Sequence, residues 1–236
     1  MKKNLLIVFF LLIFLEVTAV YAENPRVQCG NGTVTIKMSV PSTNVRCLTV
    51  MNSEKAAEGK SLSEARISSA AVVIDDYKVE GKFSPEVTAF SMNGLSNVNS
   101  EIYQKAVDLT TMINKINGGE GINAVTAPIP FLPYQDKTQL FVAMPEIINF
   151  ISGTAIRFIT AYGDSGAMVD NGNLLYTVQG ISQDGKYYLS ITIPISNSQI
   201  ASPINPAGFD WNSLPPESWK PSLTELDEMA KSVSLQ

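Results

Sequence analysis

Ser165 lies in the run Gly163-Asp164-Ser165-Gly166, the nucleophile signature of chymotrypsin-like serine proteases. Such a serine reacts only when a base takes its proton. The chain of 236 residues has no histidine to do so. No lysine has a serine three residues before it, so a serine–lysine dyad is absent too. The missing histidines also remove Cys-His catalysis, His-ligated zinc and facial-triad metal chemistry. Asp164, Asp170, Asn171 and Asn173 gather oxygen donors, but not at the spacing of a calcium loop, and they read as Asx turns. Asp75-Asp76 could be half of an acid/base pair, yet nothing supplies a partner carboxylate at a defined distance. No phosphate-binding glycine loop occurs. No catalytic residue, metal ligand or cofactor site is therefore assigned.

Binding chemistry fits better. Asp184-Gly185 between two β-rich runs predicts a hairpin with a two-residue turn and positive φ at both turn positions. Centring the turn there places Ile181 opposite Tyr188, Gln179 opposite Ser190 and Thr177 opposite Thr192. Opposed residues share a face. Tyr176, Val178, Leu189, Ile191 and Ile193 then face the core. Thr177, Gln179, Tyr188, Ser190 and Thr192 form a polar, uncharged row, either a solvated sheet face or the floor of a binding cleft. Arg157, on a neighbouring strand, is the one charge placed to orient an anionic or carbonyl-bearing ligand, unless it serves a surface salt bridge.

The elements around the hairpin read as an α+β chain with a mainly antiparallel sheet. Ala70–Ile74, Val87–Phe90, Leu140–Met144, Ile147–Ile151 and Ile156–Tyr162 are the strands that accompany it. Ile102, Ala106, Leu109, Ile113 and Ile116 make the apolar stripe of a central helix, capped by Asn99 or Ser100 and stopped at Gly118-Gly119. Pro128, Pro130 and Pro133 make 120–136 a connection. Residues 196–221 form a long ordered loop carrying Trp211 and Trp219. Ser222 and Glu225 spell a capping box for a C-terminal helix packed on the sheet through Leu223, Leu226, Met229, Ala230 and Val233.

Compartment is read at the other end. Lys2-Lys3, the eleven apolar residues Leu5–Leu15 and Val20-Tyr21-Ala22 read as a signal peptide over 1–22, cleaved before Glu23. The apolar run spans roughly 16 Å as a helix, about half a bilayer core, so no integral span is expected after cleavage. Residues 23–236 are then a single extracytoplasmic domain. Its two cysteines, Cys29 and Cys47, are expected to form a disulfide clamping a hairpin-like segment over 23–50. Formal net charge is −5, with no basic cluster, which argues against nucleic acid as a partner.

The runs Gly153–Tyr162, Asn171–Gly180 and Asp184–Ser190, with Leu214-Pro215-Pro216-Glu217-Ser218 and Pro221–Asp227, resemble an uncharacterised family of bacterial exported proteins and lipoproteins. The resemblance covers residues 128–236. The chain departs from the family's lipoproteins in lacking a lipobox cysteine, and the resemblance implies a compartment but no activity. Element order is similar to that of PsbP-like domains. The leading expectation is a secreted or periplasmic, non-enzymatic module for a protein or polar small ligand of the cell envelope. The competing readings are a histidine-free hydrolase or lyase using Asp75, Asp76, Asp164 or Asp170, and an envelope structural subunit.

Overall fold

Short apolar and β-branched runs between Val45 and Pro194 assemble into a seven-stranded antiparallel sheet. The computed structural model describes residues 24–57, 60, 65–79, 81–133 and 135–236; the expected leader at 1–22 lies outside them. Strands β3 (Val45–Val50), β4 (Ser69–Ile74), β5 (Glu86–Ser91), β6 (Thr138–Phe150), β7 (Gly153–Gly163), β8 (Leu175–Ser182) and β9 (Tyr187–Pro194) lie in the order β3-β4-β5-β9-β8-β7-β6. A small sheet joins β1 (Arg26–Gly30) and β2 (Thr35–Ser39) to β12 (Ser234–Leu235), and β10 (Ser196–Asn197) pairs with β11 (Trp219–Lys220). The chain is α+β, as expected. Among the described residues no helix is long and apolar enough to cross a membrane.

Both faces of the large sheet are covered. On one, Val72, Val87, Ile191, Val178 and Tyr176 pack with Ile36 and Met38 of the small sheet and with Leu226, Met229 and Ala230 of α3 (Leu223–Lys231). On the other, Phe90, Ile156, Phe158, Leu175 and Tyr188 pack with Leu95 of α1 (Met92–Val98) and with Ile102, Ala106, Leu109 and Ile113 of α2 (Ser100–Lys115). Phe131 and Leu132 of the Pro-rich connection close the same layer.

The central helix forms as its stripe demands, with the Asn99 side chain accepting from the amides of Glu101 and Ile102. The C-terminal helix forms as well, but Ser222 at its N-cap makes no side-chain capping bond, so the capping box is not closed. Leu140–Met144 and Ile147–Ile151 are one strand rather than two. Its pairing with β7 slips between Ala143 and Glu146, where Met144 takes a φ of 49° next to Pro145.

The hairpin has the expected register: Ile181 opposes Tyr188, Gln179 opposes Ser190, and Thr177 opposes Thr192. The turn differs. Gly185 has φ of 70°, but Asp184 does not share a positive value. The Asp184 carboxylate instead accepts from the Ser182 hydroxyl at 2.7 Å and the Lys186 amide at 3.1 Å, while the Gly185 amide donates to the Ser182 carbonyl. These local bonds hold a type I-like turn closed by a left-handed glycine.

Cys29 and Cys47 are bonded, with Cα atoms 5.4 Å apart. The bond does more than clamp one hairpin. Cys29 lies on β1 and Cys47 on the edge strand β3, so it ties the small sheet to the large one.

Candidate functional site

The polar row is present, but it is not a cleft floor. Thr177, Gln179 and Tyr188 are 0% exposed, Ser190 1% and Thr192 2%. Gln179, Tyr188 and Ser190 lie under the strap 127–133, bracketed by cis peptides before Pro128 and Pro133, while Thr192 donates to the Ser84 carbonyl at 3.3 Å. The Gln179 Oε1 accepts from the Leu132 amide at 3.1 Å and from the Tyr188 hydroxyl at 2.7 Å. Its Nε2 donates to Thr177 Oγ1 at 2.8 Å and Ser190 Oγ at 3.0 Å. Ser190 donates to the Leu132 carbonyl, and the Tyr188 hydroxyl, its proton given to Gln179, lies 3.3 Å from the Pro130 carbonyl. Farther along, Gln139 accepts from the Ile129 amide at 2.9 Å and donates to the Tyr162 hydroxyl at 2.9 Å.

The physical reason is the strap's composition. An extended segment with Pro128, Pro130 and Pro133 cannot join the sheet ladder, so its carbonyls and remaining amides need side-chain partners once buried. The row supplies them. Its use as an open ligand-binding surface, expected for Thr177, Gln179, Tyr188, Ser190 and Thr192, is corrected for the first four; Thr192 lines a hollow at the strap's edge.

Arg157 is corrected too. It opposes Val178, which puts it on the other face from Gln179. There it is 5% exposed and donates to the Met144 carbonyl at 2.7 Å and to the Glu146 carboxylate. Its Nε lies 3.3 Å from Asp227 on α3, and Tyr176 donates to the same carboxylate oxygen at 2.8 Å. Burial raises the Asp227 carboxyl above its ordinary range, with Arg157 opposing the shift. Arg157 anchors α3 on the sheet, neither a ligand clamp nor a surface ion pair.

The other candidates are engaged locally. Asp75 pairs with Arg46 at 2.6 Å, and Asp76 accepts from Ser42. Asp164 pairs with Lys137 at 2.7 Å, which lowers the aspartate. Asp170 and Asn173 cap their own turn, and Asn171 donates to the Asn197 and Ile200 carbonyls. Among the described residues no three acidic or cysteine side chains gather to hold a metal ion.

What is open to solvent lies at the strap's outer edge. Two hollows of about 540 and 370 Å³ adjoin there, sharing Gln135, Lys137 and Tyr162. The larger runs between the strap and β6, walled by Ile129, Phe131, Leu140, Phe141 and Val142. The smaller lies under Phe83 and Pro133, where Glu86 and Thr192 end the polar row. Phe83, Phe131 and Tyr162 form an aromatic cluster, with centroids 6.2, 6.2 and 4.8 Å apart. Burial raises the Glu86 carboxyl, only partly offset by a hydrogen bond from Thr88. It also pushes the Tyr162 phenol well up. None of Asp75, Asp76, Asp164 and Asp170 lines either hollow.

Sequence reasoning passed over Phe83, in the link between β4 and β5, and Glu86, the first residue of β5; neither carries a periodic signal. The only available cue was Glu86 immediately preceding the apolar run Val87–Phe90. No family model, no curated protein and no solved structure matches this chain.

Proposed function

We propose that the chain is a non-enzymatic binding module that works outside the cytoplasm, and that its ligand sits in the paired hollows beside the strap. The observation that carries this reading is the hollows' construction. They fall in the size range of small-molecule sites; the larger has mainly apolar and aromatic walls, and the smaller adds the polar groups Ser84, Glu86, Gln135 and Thr192 and the rim lysines Lys82 and Lys137. The disulfide supports an oxidising compartment, in line with the leader expected over 1–22. The nucleophile-like run at 163–166 is a turn bearing a Lys137-paired aspartate, with no base to serve it.

Thermal unfolding of the mature protein with a panel of small cationic, anionic, zwitterionic and neutral organic molecules tests the binding role. At least one class should raise the Tm of the wild type and leave that of Phe83→Ala unmoved. A panel that moves neither protein, or moves both equally, overturns the assignment to these hollows. N-terminal sequencing of exported material should begin at or near Glu23, and retention of Leu5–Leu15 would overturn the compartment.

A further inference from the structure

The two edges of the large sheet are built differently. At one end β6 is shielded. Its pairing with β7 slips between Ala143 and Glu146, Pro145 interrupts its amides, and Phe141 stacks on Trp211 at 4.0 Å. The turns Pro206–Gly208 and Trp211–Ser213 lie against it. Bulges, prolines and covering loops are the devices that stop an edge strand from pairing further. At the other end β3 has none of them. Its residues Val45–Val50 pair with β4 in unbroken register and include no proline and no lysine. Their one charge, Arg46, is already engaged by Asp75 at 2.6 Å. Arg46, Cys47, Leu48 and Thr49 are all exposed, and the apolar Leu48 and Met51 stand 46% and 68% open to solvent.

The ladder decides which backbone groups this bare edge offers. The Asp75 amide donates to the Asn44 carbonyl, so residues 44 and 75 are a hydrogen-bonded pair. Such pairs alternate along antiparallel strands, so Arg46, Leu48 and Val50 bond inward to β4. The amides and carbonyls of Val45, Cys47 and Thr49 point away from the sheet. Among the described residues no strand or side chain hydrogen-bonds them.

The strand that best meets this edge is the edge itself. Let a second β3 run antiparallel along the first, with Leu48 on a twofold axis. Cys47 then opposes Thr49 of the second copy and Val45 opposes its Met51, both at hydrogen-bonded positions. Leu48 meets its counterpart at a non-hydrogen-bonded position, where opposed side chains come closest. Both exposed apolar residues gain apolar partners. Arg46 falls opposite Val50, so no like charges oppose each other, and Asn44 faces Asn52. An axis on Cys47 would instead set Leu48 against Arg46 and Met51 against Thr43.

We infer that β3 is a dimer edge, through which two copies of this chain join antiparallel over Val45–Met51 and continue one sheet into the next. The edge lies at the far end of the sheet from β6, and none of residues 45–51 lines either hollow, so this assembly is independent of the ligand reading.

Sedimentation velocity of the mature protein tests it. A strand pairing of this length is a small interface, so the dimer should dominate at roughly 100 μM and dissociate by roughly 1 μM. Leu48→Lys sets two cations against each other at the axis and Leu48→Glu two anions, and each alone should stay monomeric at the higher concentration. Mixed in equal amounts, the two variants should form a heterodimer. Thr49→Pro removes an outward amide from each copy without touching the β3–β4 ladder, and should weaken the dimer by at least about tenfold. Thermal unfolding and an intact Cys29–Cys47 bond report the fold of each variant. If the proline variant does not fold, the two substitutions at exposed Leu48 carry the test. A wild type that is monomeric at roughly 100 μM, or a dimer that Leu48→Lys leaves intact, overturns the dimer edge. A mixture of the charge variants that stays monomeric overturns the axis at Leu48.

Discussion

Truncating Gln179 should cost far more than a surface substitution, because this side chain holds the strap to the sheet. Gln179→Ala removes the acceptor of the Leu132 amide and leaves that amide buried beneath its own strap. An orphaned buried donor costs roughly 1–3 kcal/mol. With Gln179 gone, Tyr188 turns its proton to the Pro130 carbonyl 3.3 Å away, and Ser190 keeps the Leu132 carbonyl, so neither hydroxyl is stranded as a donor. The space vacated by a fully buried side chain adds about 1–2 kcal/mol where the surroundings relax only in part. The expected total is about 2–5 kcal/mol. Gln179→Met refills most of the volume without the hydrogen bonds and should recover the packing part alone. Urea unfolding followed by the fluorescence of Trp211 and Trp219, both buried, measures the loss. Hydrogen exchange at the Leu132 amide locates it, and protection there should fall in both variants. Both variants within about 0.5 kcal/mol of wild type, with Leu132 protection unchanged, would refute the strap's dependence on this residue.

Ile191→Ala, on the opposite face of the same hairpin, should cost about 2–5 kcal/mol in the same assay, because Ile191 is fully buried between Val87 and Val178. Titration of the unreduced, unfolded protein should find no free thiol, and reduction should lower stability by roughly 3 kcal/mol for a separation of 18 residues; two titratable thiols would remove the link between the sheets. The Asp227 carboxyl is raised in the folded protein by burial, against Arg157, with Tyr176, Glu146 and Lys231 also bearing on it. A raised acid holds its proton better folded than unfolded. Its contribution is therefore full below the ordinary value of 3.8 and is lost as pH rises through the raised value. Wild-type stability should decline relative to Asp227→Asn across that interval; a gain with rising pH would show that Arg157 outweighs burial.

Local signals in the sequence carried the hairpin, and non-local ones decided what its faces do. Register followed from where a turn could form, and the stripe Ile102–Ile116 specified a helix whose face had to be covered. Alternation along 176–193 separated the two faces correctly. It could not say that the uncharged face would be covered, because its hydrogen-bonding partners, Pro130 and Leu132, lie 47 to 58 residues away in sequence. Thr, Ser and Gln read alike on a wet face and beneath a proline strap. Arg157 misled for a similar reason: besides Glu146, the carboxylate that makes its burial tolerable is Asp227, 70 residues on, in α3. The aromatic hollow needed Phe83, Phe131 and Tyr162 brought together from three separate segments, and no spacing rule joins them.

The small sheet sets an order on assembly. Its middle strand β2 pairs on one side with β1 and on the other with β12, and the Thr35 and Gln236 backbones exchange hydrogen bonds at 2.7 and 3.0 Å. The first hairpin can close locally, but its third strand comes from a segment far away in sequence. Until β12 pairs, the Thr35–Ser39 edge stands open on that side, with Ile36 and Met38 awaiting α3 and the large sheet. Contacts of such long sequence separation slow folding, since the loop between them must be closed before they contribute. While it is bare, that edge is free to pair with another strand. The Cys29–Cys47 bond ties β1 to β3, so once it has formed the first hairpin stays tethered to the large sheet whether or not β12 has paired.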